Sequence, residues 1–342
     1  MATLLTRRPV TASKTFSFYV GPDDRRLIQT CAAMADAVTI RGKDAPAVVS
    51  GMRRSAGFDG TVLFDREAWK KPDEAIDAEA WFVAQEDAGA DRILTPGAYV
   101  PWSKDEPERA LSIASRELEL ASRHEATPIV ALDARWVGRV ADRVVEVLSG
   151  SSGGVALVLV DPGDPLAVAG AVQGLRHIAR GLSDLLILRS DHGALGAVAF
   201  GAQHASLGLI TSHRHGTTPD RSGFGKPGDL TARVFSLDYA DWFTAATIAG
   251  WSLVEPRWGR CHLSCCHGAE LSRFLDEDRL PEVRTHNLTA LARLADLVLD
   301  APPEMRRATF LGFCRAAADR YDLSGHRGPQ DPKPQLTGWV LS

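Results

Sequence analysis

Residues 257–288 concentrate the side chains that most readily bind a transition metal. The stretch "RWGRCHLSCCHGAELSRFLDEDRLPEVRTHNL" holds three of the chain's five cysteines and three of its ten histidines. Structural zinc is usually held by four tetrahedrally arranged thiolates and imidazoles. Cys261 and Cys266 can lie together on a turn, and His286 begins the helical pattern "THNLTALARLADLVL". The spacing therefore predicts a zinc site, whereas Cys31 and Cys314 lie in helical patterns and are predicted to be buried thiols.

Charged and imidazole side chains also follow several short apolar runs, at the points where predicted strands end. They are Asp65 in "VLFDRE", Asp133 in "VALDARW", Asp161 in "LVDPGD", Arg189, Asp191 and His192 in "LRSDHG", and His213, Arg214 and His215 in "TSHRHG". An aspartate at such a junction is also typical of a helix N-cap. Taken as a set, these residues predict a binding or catalytic site with carboxylates for acid–base or nucleophilic chemistry.

The elements that must position these residues alternate between strand and helix along the chain. Short apolar runs such as "TFSFYVG", "GTVLFD" and "DRILTPG" are each followed by an amphipathic stretch. Seven or eight such units imply parallel strands with helical crossovers, and they favour a TIM-like (β/α)8 barrel of the α/β class. Because the carboxyl ends of barrel strands share one rim, the strand-end residues are expected to converge there.

Length and composition agree with a globular protein of this class. The 342 residues suit a barrel core at 1–235, a zinc-type subdomain with closing helices at 236–325, and a tail at 326–342. A net charge of −4 argues against nucleic-acid binding by bulk charge but permits a local basic surface. No apolar run is long enough to span a membrane, so a cytoplasmic protein without membrane contact is expected.

The C-terminal stretch resembles the zinc subdomain of tRNA-guanine transglycosylases, in which C-x-C-x2-C precedes a His-Asn pair that opens a helix. "RTHNLTALARLADLV" is similar to that helix. Cys261 matches the first family cysteine and Cys266 the third, while Leu263 stands at the second. The resemblance implies a structural zinc for which Cys265, His262 or His267 substitutes as a ligand. With Cys265 in that role, the expected ligands are Cys261, Cys265, Cys266 and His286.

The resemblance extends across most of the chain as an order of elements, and it implies roles for individual residues. Asp65 corresponds to the base-recognising general acid/base, Asp133 lies near the base-reading glutamine, and Arg214 matches an arginine of the RNA-facing loop. Gly208 stands where these enzymes carry the nucleophilic aspartate. A glycine has no side chain with which to form a covalent intermediate.

Several functions follow as expectations from this comparison. The first is pentosyl transfer in tRNA processing, in which a guanine or 7-deazaguanine-type base is exchanged at the ribose C1′ of tRNA or DNA. Asp191 would then be the nucleophile and Asp65 the acid that protonates the leaving purine. The expected substrate-binding residues are Asp133, Asp161, Arg189, His192, His213 and Arg214.

Two alternatives remain open. Gly208 favours a non-catalytic partner subunit of a transglycosylase, and hence a heteromeric assembly, whereas the family resemblance itself implies a homodimer. His192, His213 and His215 favour a barrel hydrolase with a catalytic metal at the strand ends. The Gly/Pro-rich segment 212–233, with Arg214, Arg221, Lys226 and Arg233, is interpreted as a solvated connector, as a mobile basic lid or as a phosphate-contacting loop.

Overall fold

The computed structural model describes residues 15–219, 233–324 and 331–341. Two compact units divide these residues. The first unit comprises 15–208 and 212–219, and the second comprises 209–211, 233–324 and 331–341. Arg221 and Lys226 of the predicted basic loop lie outside the described residues.

The first unit is built on a curled sheet of eight parallel strands. They are β1 Thr15–Val20, β2 Ala37–Arg41, β3 Val62–Asp65, β4 Ala98–Val100, β5 Ile129–Asp133, β6 Val155–Val160, β7 Leu185–Ser190 and β8 His204–Gly208. The spatial order is β3-β2-β1-β8-β7-β6-β5-β4. β1 therefore pairs with both β2 and β8, so the first and last strands are neighbours. This arrangement confirms the predicted (β/α)8 barrel.

Helices connect successive strands of this unit. They are α1 Arg25–Met34, α2 Ala45–Ala56, α3 Ala78–Asp87, α4 Pro107–Arg123, α5 Ala134–Leu148, α6 Ala171–Gly181 and α7 Gly193–Phe200. Local sequence sets where several of them begin, since Asp24 accepts a hydrogen bond from the amide of Leu27 and Asp77 from that of Ala80. An aspartate at the N-cap satisfies an amide that would otherwise have no partner in the helix.

The fourth strand lies later in the chain than the sequence predicts. The pattern "DRILTPG" predicts a strand over 91–97, but the regular strand β4 is Ala98–Val100, and Leu94 makes an isolated parallel bridge to Thr127. Pro96 has no amide hydrogen to donate, and Gly97 adopts φ 96°, so these two residues interrupt the ladder.

The barrel contains an apolar core that includes residues of β5, β6 and β7. It also contains a polar network at the amino ends of β1 and β8. Ser17 Oγ lies 2.8 Å from His204 Nε2 and 2.7 Å from Thr39 Oγ1, while Thr15 Oγ1 lies 2.8 Å from His204 Nδ1. Burial lowers the pKa of His204 to about 3, so the ring is neutral at physiological pH.

The second unit combines a small antiparallel ribbon with four helices among its described residues. The ribbon pairs β9 Arg233–Ser236 with β10 Asp241–Thr244, and the helices are α8 Ala245–Ser252, α9 Leu280–Leu299, α10 Arg306–Ser324 and α11 Pro334–Val340. In the C-terminal helix, Trp339 is fully buried and packs edge-on against Phe310 at 5.1 Å. Cys31 in α1 and Cys314 in α10 are fully buried, as predicted.

Within the described part of the chain, every helix is too short or too polar to cross a bilayer.

Candidate functional site

Side chains from distant parts of the chain meet at the carboxyl ends of β1, β2, β3 and β7. We call this group the mouth cluster; it consists of Tyr19, Arg41, Asp65, Glu67, Lys70, Arg189 and His213. Asp65, Arg189 and His213 are predicted site residues, and the structure brings them together. Sequence reasoning missed Tyr19, Arg41, Glu67 and Lys70.

Glu67 is the centre of the mouth cluster. Its side chain is 8% exposed and forms ion pairs with Lys70 at 2.6 Å, with Arg41 at 3.2 Å and, closely, with Arg189. Burial alone would raise the pKa of Glu67, but the charges of Arg189, Lys70 and Arg41 outweigh burial and lower the pKa to about 2. Glu67 is therefore a permanent anion held by three cations.

Asp65 is fully buried beside Glu67 and has the opposite protonation tendency. Its carboxylate accepts hydrogen bonds from the Tyr19 hydroxyl at 2.7 Å and from the Glu67 amide at 2.7 Å. Burial, reinforced by the charge of Glu67, raises the pKa of Asp65 above its usual range. Two neighbouring carboxyl groups whose pKa values are pushed apart are a recurring arrangement in acid–base sites.

Backbone strain marks the same position. Glu67 has φ 60° and Arg189 has φ 49°, in the left-handed region that non-glycine residues seldom occupy. These two residues form the buried ion pair at the centre of the cluster. Such strain persists where the surrounding contacts enforce it, and it concentrates at functional sites.

His213 completes the cluster as a neutral ring. Its Nε2 accepts a hydrogen bond from Arg41 Nε at 3.0 Å, and its ring meets that of Tyr19 edge-on at 5.8 Å. Burial, with the nearby charges of Arg41 and Arg189, lowers the pKa of His213 to about 3. His213 ends a 3-10 turn, Thr211–His213, which follows the end of β8 at Gly208.

Residues 212–216, which we call the cover segment, lie over the carboxyl ends of β6, β7 and β8. Arg189 donates to the carbonyl of Ser212 at 2.5 Å and to that of His215 at 2.8 Å. Gly216 forms a parallel bridge with Val160 in β6. A Cβ atom added to Gly208 would lie 2.1 Å from the carbonyl oxygen of His213 and 2.7 Å from the amide nitrogen of Arg214. The cover segment therefore occupies the space that a side chain at 208 would need.

The other predicted aspartates cap the loops and helices that follow their own strands. In each case one carboxylate oxygen accepts from the amide two residues on, and these pairs are Asp133 with Arg135, Asp161 with Gly163, and Asp191 with Gly193. Asp133 also forms a 2.6 Å ion pair with Arg135. His192 is fully buried at the start of α7, and Arg214 is half-buried in the cover segment.

The thiols and the imidazole of the second unit do converge. His286 Nδ1 lies 3.3 Å from Cys266 Sγ, 3.7 Å from Cys261 Sγ and 4.0 Å from Cys265 Sγ. Zinc–sulfur bonds of 2.3 Å and zinc–nitrogen bonds of about 2.05 Å in a tetrahedron would separate sulfur and nitrogen by about 3.6 Å. Cys261, Cys266 and His286, which we call the metal group, can therefore hold a metal ion. Cys265 Sγ lies beside it, 3.5 Å from Cys266 Sγ.

Hydrogen bonds prepare this group for a cation. His286 Nε2 lies 2.9 Å from the carbonyl of Phe235, to which it donates, and this leaves Nδ1 unprotonated toward the sulfurs. Hydrogen bonds from the Cys261 and Cys265 thiols hold the pKa of Cys266 below its usual range, and Arg273 donates to the same sulfur at 3.2 Å. Cys266 is thus the thiol that ionises first, and the resulting thiolate is the form that binds metal.

Local sequence explains the fold of the metal group. Cys261 and Ala269 pair through their backbones, and the chain reverses through His267 at φ 51° and Gly268 at φ 81°. Asn287, next to His286, accepts from the amide of Phe235 at 2.9 Å and donates to the carbonyl of Arg233 at 2.8 Å. The His-Asn pair, which lies in the first half of α9, therefore fixes this helix to β9 and holds the imidazole in place.

A scan against protein-family models finds no match for this sequence, and a search of the curated proteins finds none either.

Proposed function

We propose that this chain is a transglycosylase-like protein that docks a purine- or deazapurine-type base of tRNA or DNA at its barrel mouth without attacking the ribose itself. It would serve as the partner subunit of an active transglycosylase. The observation that carries this proposal is Gly208, since the carbonyl of His213 fills the position that a nucleophilic side chain at 208 would occupy. Gly208 has no side chain that could form a covalent ribosyl intermediate, and the backbone leaves no space for one at this position.

The mouth cluster supplies groups suited to reading a heterocycle. Asp65, with its raised pKa, retains its proton more readily than an ordinary carboxyl group and can then both donate and accept a hydrogen bond. Tyr19 offers its hydroxyl beside Asp65. A purine edge presents both donors and acceptors, so such a pair suits it.

The proposed ion in the second unit is zinc. Sulfur and imidazole ligands in tetrahedral spacing favour Zn²⁺ over the harder cations that prefer oxygen. We propose Cys265 as the fourth ligand, because its sulfur lies 3.5 Å from Cys266 Sγ. Its role would be structural, because ligands on the 261–266 turn and on α9 would be tied together.

A second candidate, base exchange by this chain alone, is favoured by the pKa of Asp65. A raised pKa favours the protonated carboxyl group, which is the form that can donate a proton to a leaving purine. Asp191 would then have to leave the amide of Gly193 and act as the nucleophile. The hydrolase alternative gains no such support, because the described residues place no comparable ligand group at the barrel mouth.

The proposal is tested by incubating the purified chain with labelled guanine and tRNA or DNA, alone and together with an active transglycosylase. We expect the chain alone to incorporate no label and to form no covalent adduct, while it binds the nucleic acid or the enzyme. Asp65→Asn should weaken that binding, whereas Asp73→Asn on the exposed surface should not.

Each contrary result has a defined meaning. Incorporation by the chain alone, lost in Asp191→Asn, would replace the proposal with the second candidate. Absence of binding to tRNA, to DNA and to the enzyme would refute both.

A further inference from the structure

A basic cavity lies beside the mouth cluster, next to the carboxyl ends of β2 and β3. Its volume is about 270 Å³, and its charged lining consists of Lys43, Arg66, Lys70, Lys71, Glu67 and Glu74. Ligand pockets in proteins start near ~300 Å³, so this cavity suits a small ligand or one group of a larger one.

Lysine is used sparingly in this chain but is concentrated at this cavity. Only seven of the 39 basic residues are lysines, and Lys43, Lys70 and Lys71 line this one space. Two of the cations are also placed by aromatic rings. Arg66 stacks over the ring of Trp81 at 5.7 Å, and Lys70 lies over that of Trp69 at 5.5 Å. Cation–π contacts of this kind hold a charged group in position.

The charges around the cavity do not balance. Of its two carboxylates, Glu67 is already shared among Arg41, Lys70 and Arg189. Glu74 pairs with Lys71 at 3.3 Å, but both side chains are largely exposed, and such surface pairs are weak. Lys43 and Arg66 therefore add positive charge that these carboxylates do not offset. The surplus stands out because the whole chain carries a net charge of −4.

We propose that this cavity binds a phosphate group through Lys43, Arg66 and Lys71. Ammonium and guanidinium groups form short, charge-assisted hydrogen bonds with phosphate oxygens, and several of them around one space can bind the same phosphate. The proposal goes beyond the function proposed above and does not depend on it. A phosphate ester of a small molecule and the backbone of a nucleic acid share this chemistry.

Titration of the full-length protein with inorganic phosphate tests the site. We expect saturable binding by calorimetry that weakens as chloride is added at constant pH, since salt screens exposed charges. The double variant Lys43→Gln/Lys71→Gln should bind phosphate on the order of tenfold more weakly, which corresponds to about 1.4 kcal/mol. Arg66→Gln should act in the same direction.

Lys104→Gln is the matched control, because Lys104 is exposed on the same unit and does not line the cavity. The substituted side chains at 43 and 71 are also exposed, so unchanged melting temperatures are expected for these variants. Equal phosphate affinity in the wild type, the double variant and the control would overturn the proposal. Absence of saturable binding at millimolar phosphate would overturn it as well.

Two further ligands identify the source of the phosphate. A nucleoside 5′-monophosphate should bind in preference to an RNA oligonucleotide without terminal phosphates if the natural ligand is a small phosphate ester. The reverse preference, sensitive to Lys43→Gln/Lys71→Gln, indicates a backbone contact. Inorganic phosphate reports on this site without any nucleic acid, so the failure of the site and the failure of the proposed base docking are separate results.

Discussion

Replacing Gly208 with alanine should destabilise the first unit and displace the cover segment. The added methyl group would lie 2.1 Å from the carbonyl oxygen of His213, 2.3 Å from its carbon and 2.7 Å from the nitrogen of Arg214. All three are backbone atoms, so no flexible side chain can rotate away to make space. The segment must move by about 1.3 Å to restore an ordinary contact of 3.4 Å.

The magnitude follows from what that movement disturbs. Overpacking a tightly packed site by a methyl group costs about 1–3 kcal/mol. Arg189 is 3% exposed and donates to the carbonyls of Ser212 and His215 in the same segment. Weakening hydrogen bonds of a buried guanidinium adds about 1–2 kcal/mol. A loss near 3 kcal/mol in a unit of about 200 residues lowers the melting temperature by about 6–12 °C.

The assay is thermal and urea unfolding followed by circular dichroism, with Gly51→Ala as the matched control. Gly51 lies in the middle of α2, and a Cβ atom there would meet nothing within 4 Å. We expect Gly51→Ala to stabilise by about 0.5–1 kcal/mol, because alanine loses less backbone entropy in a helix. If Gly208→Ala is as stable as the wild type, the position has room for a side chain, and the steric argument against a nucleophile at 208 fails.

Two further predictions concern the metal group and the buried histidines. The purified protein should contain one zinc per chain, and Cys266→Ser and His286→Ala should lose this zinc. The control Ser264→Ala, on the exposed part of the same turn, should keep it. Full zinc content in Cys266→Ser would contradict the assigned ligands. His204 and His213 have folded-state pKa values of about 3, below the ordinary histidine value of about 6.5. Between these two pH values the unfolded chain therefore binds more protons than the folded chain. The free energy of unfolding should accordingly fall as the pH drops from about 6.5 to about 3. Each histidine contributes up to about 1.4 kcal/mol per pH unit to the change of unfolding free energy with pH. When this free energy is measured by urea unfolding at several pH values, it should depend less steeply on pH in His204→Gln than in the wild type. An unchanged pH dependence would show that His204 does not titrate in this way.

The barrel and the metal group could be predicted from the sequence because their signals are local or repeated. Each strand–helix unit carries its own apolar run, and the units recur along the chain, so an error in one of them, such as the late position of β4, does not change the fold class. Cys261 and Cys266 lie on one turn, and His286 lies in a strong helical pattern. The helix α9 nevertheless begins at Leu280, six residues before His286, so the expectation that the His-Asn pair opens the helix is wrong.

The mouth cluster could not be predicted in the same way, because its contacts depend on closure of the barrel. Glu67 and Arg189 are separated by 122 positions in the chain. Both adopt a left-handed backbone conformation, which the sequence does not predict because neither residue is a glycine. Arg41 ends a short strand that looks like any other apolar run. Lys70 is marked only by the local pair "KK", which is equally typical of a solvated turn.

Four aspartates at strand ends share one local geometry, and a single difference separates the candidate site from the other three. Asp65, Asp133, Asp161 and Asp191 each accept a hydrogen bond from the amide two residues on.

The residue that donates this amide decides what each aspartate can do. It is arginine at 135 and glycine at 163 and 193, but at 67 it is a glutamate, which the barrel surrounds with three cations. At Asp65 the donating residue itself brings a second carboxylate, and the charge of that carboxylate helps to raise the pKa of Asp65. Asp65 therefore lies beside a fixed anion, Glu67, whereas Asp191 accepts from the first amide of α7. Binding of a base at this mouth should accordingly be weakened more by Glu67→Gln than by Asp191→Asn.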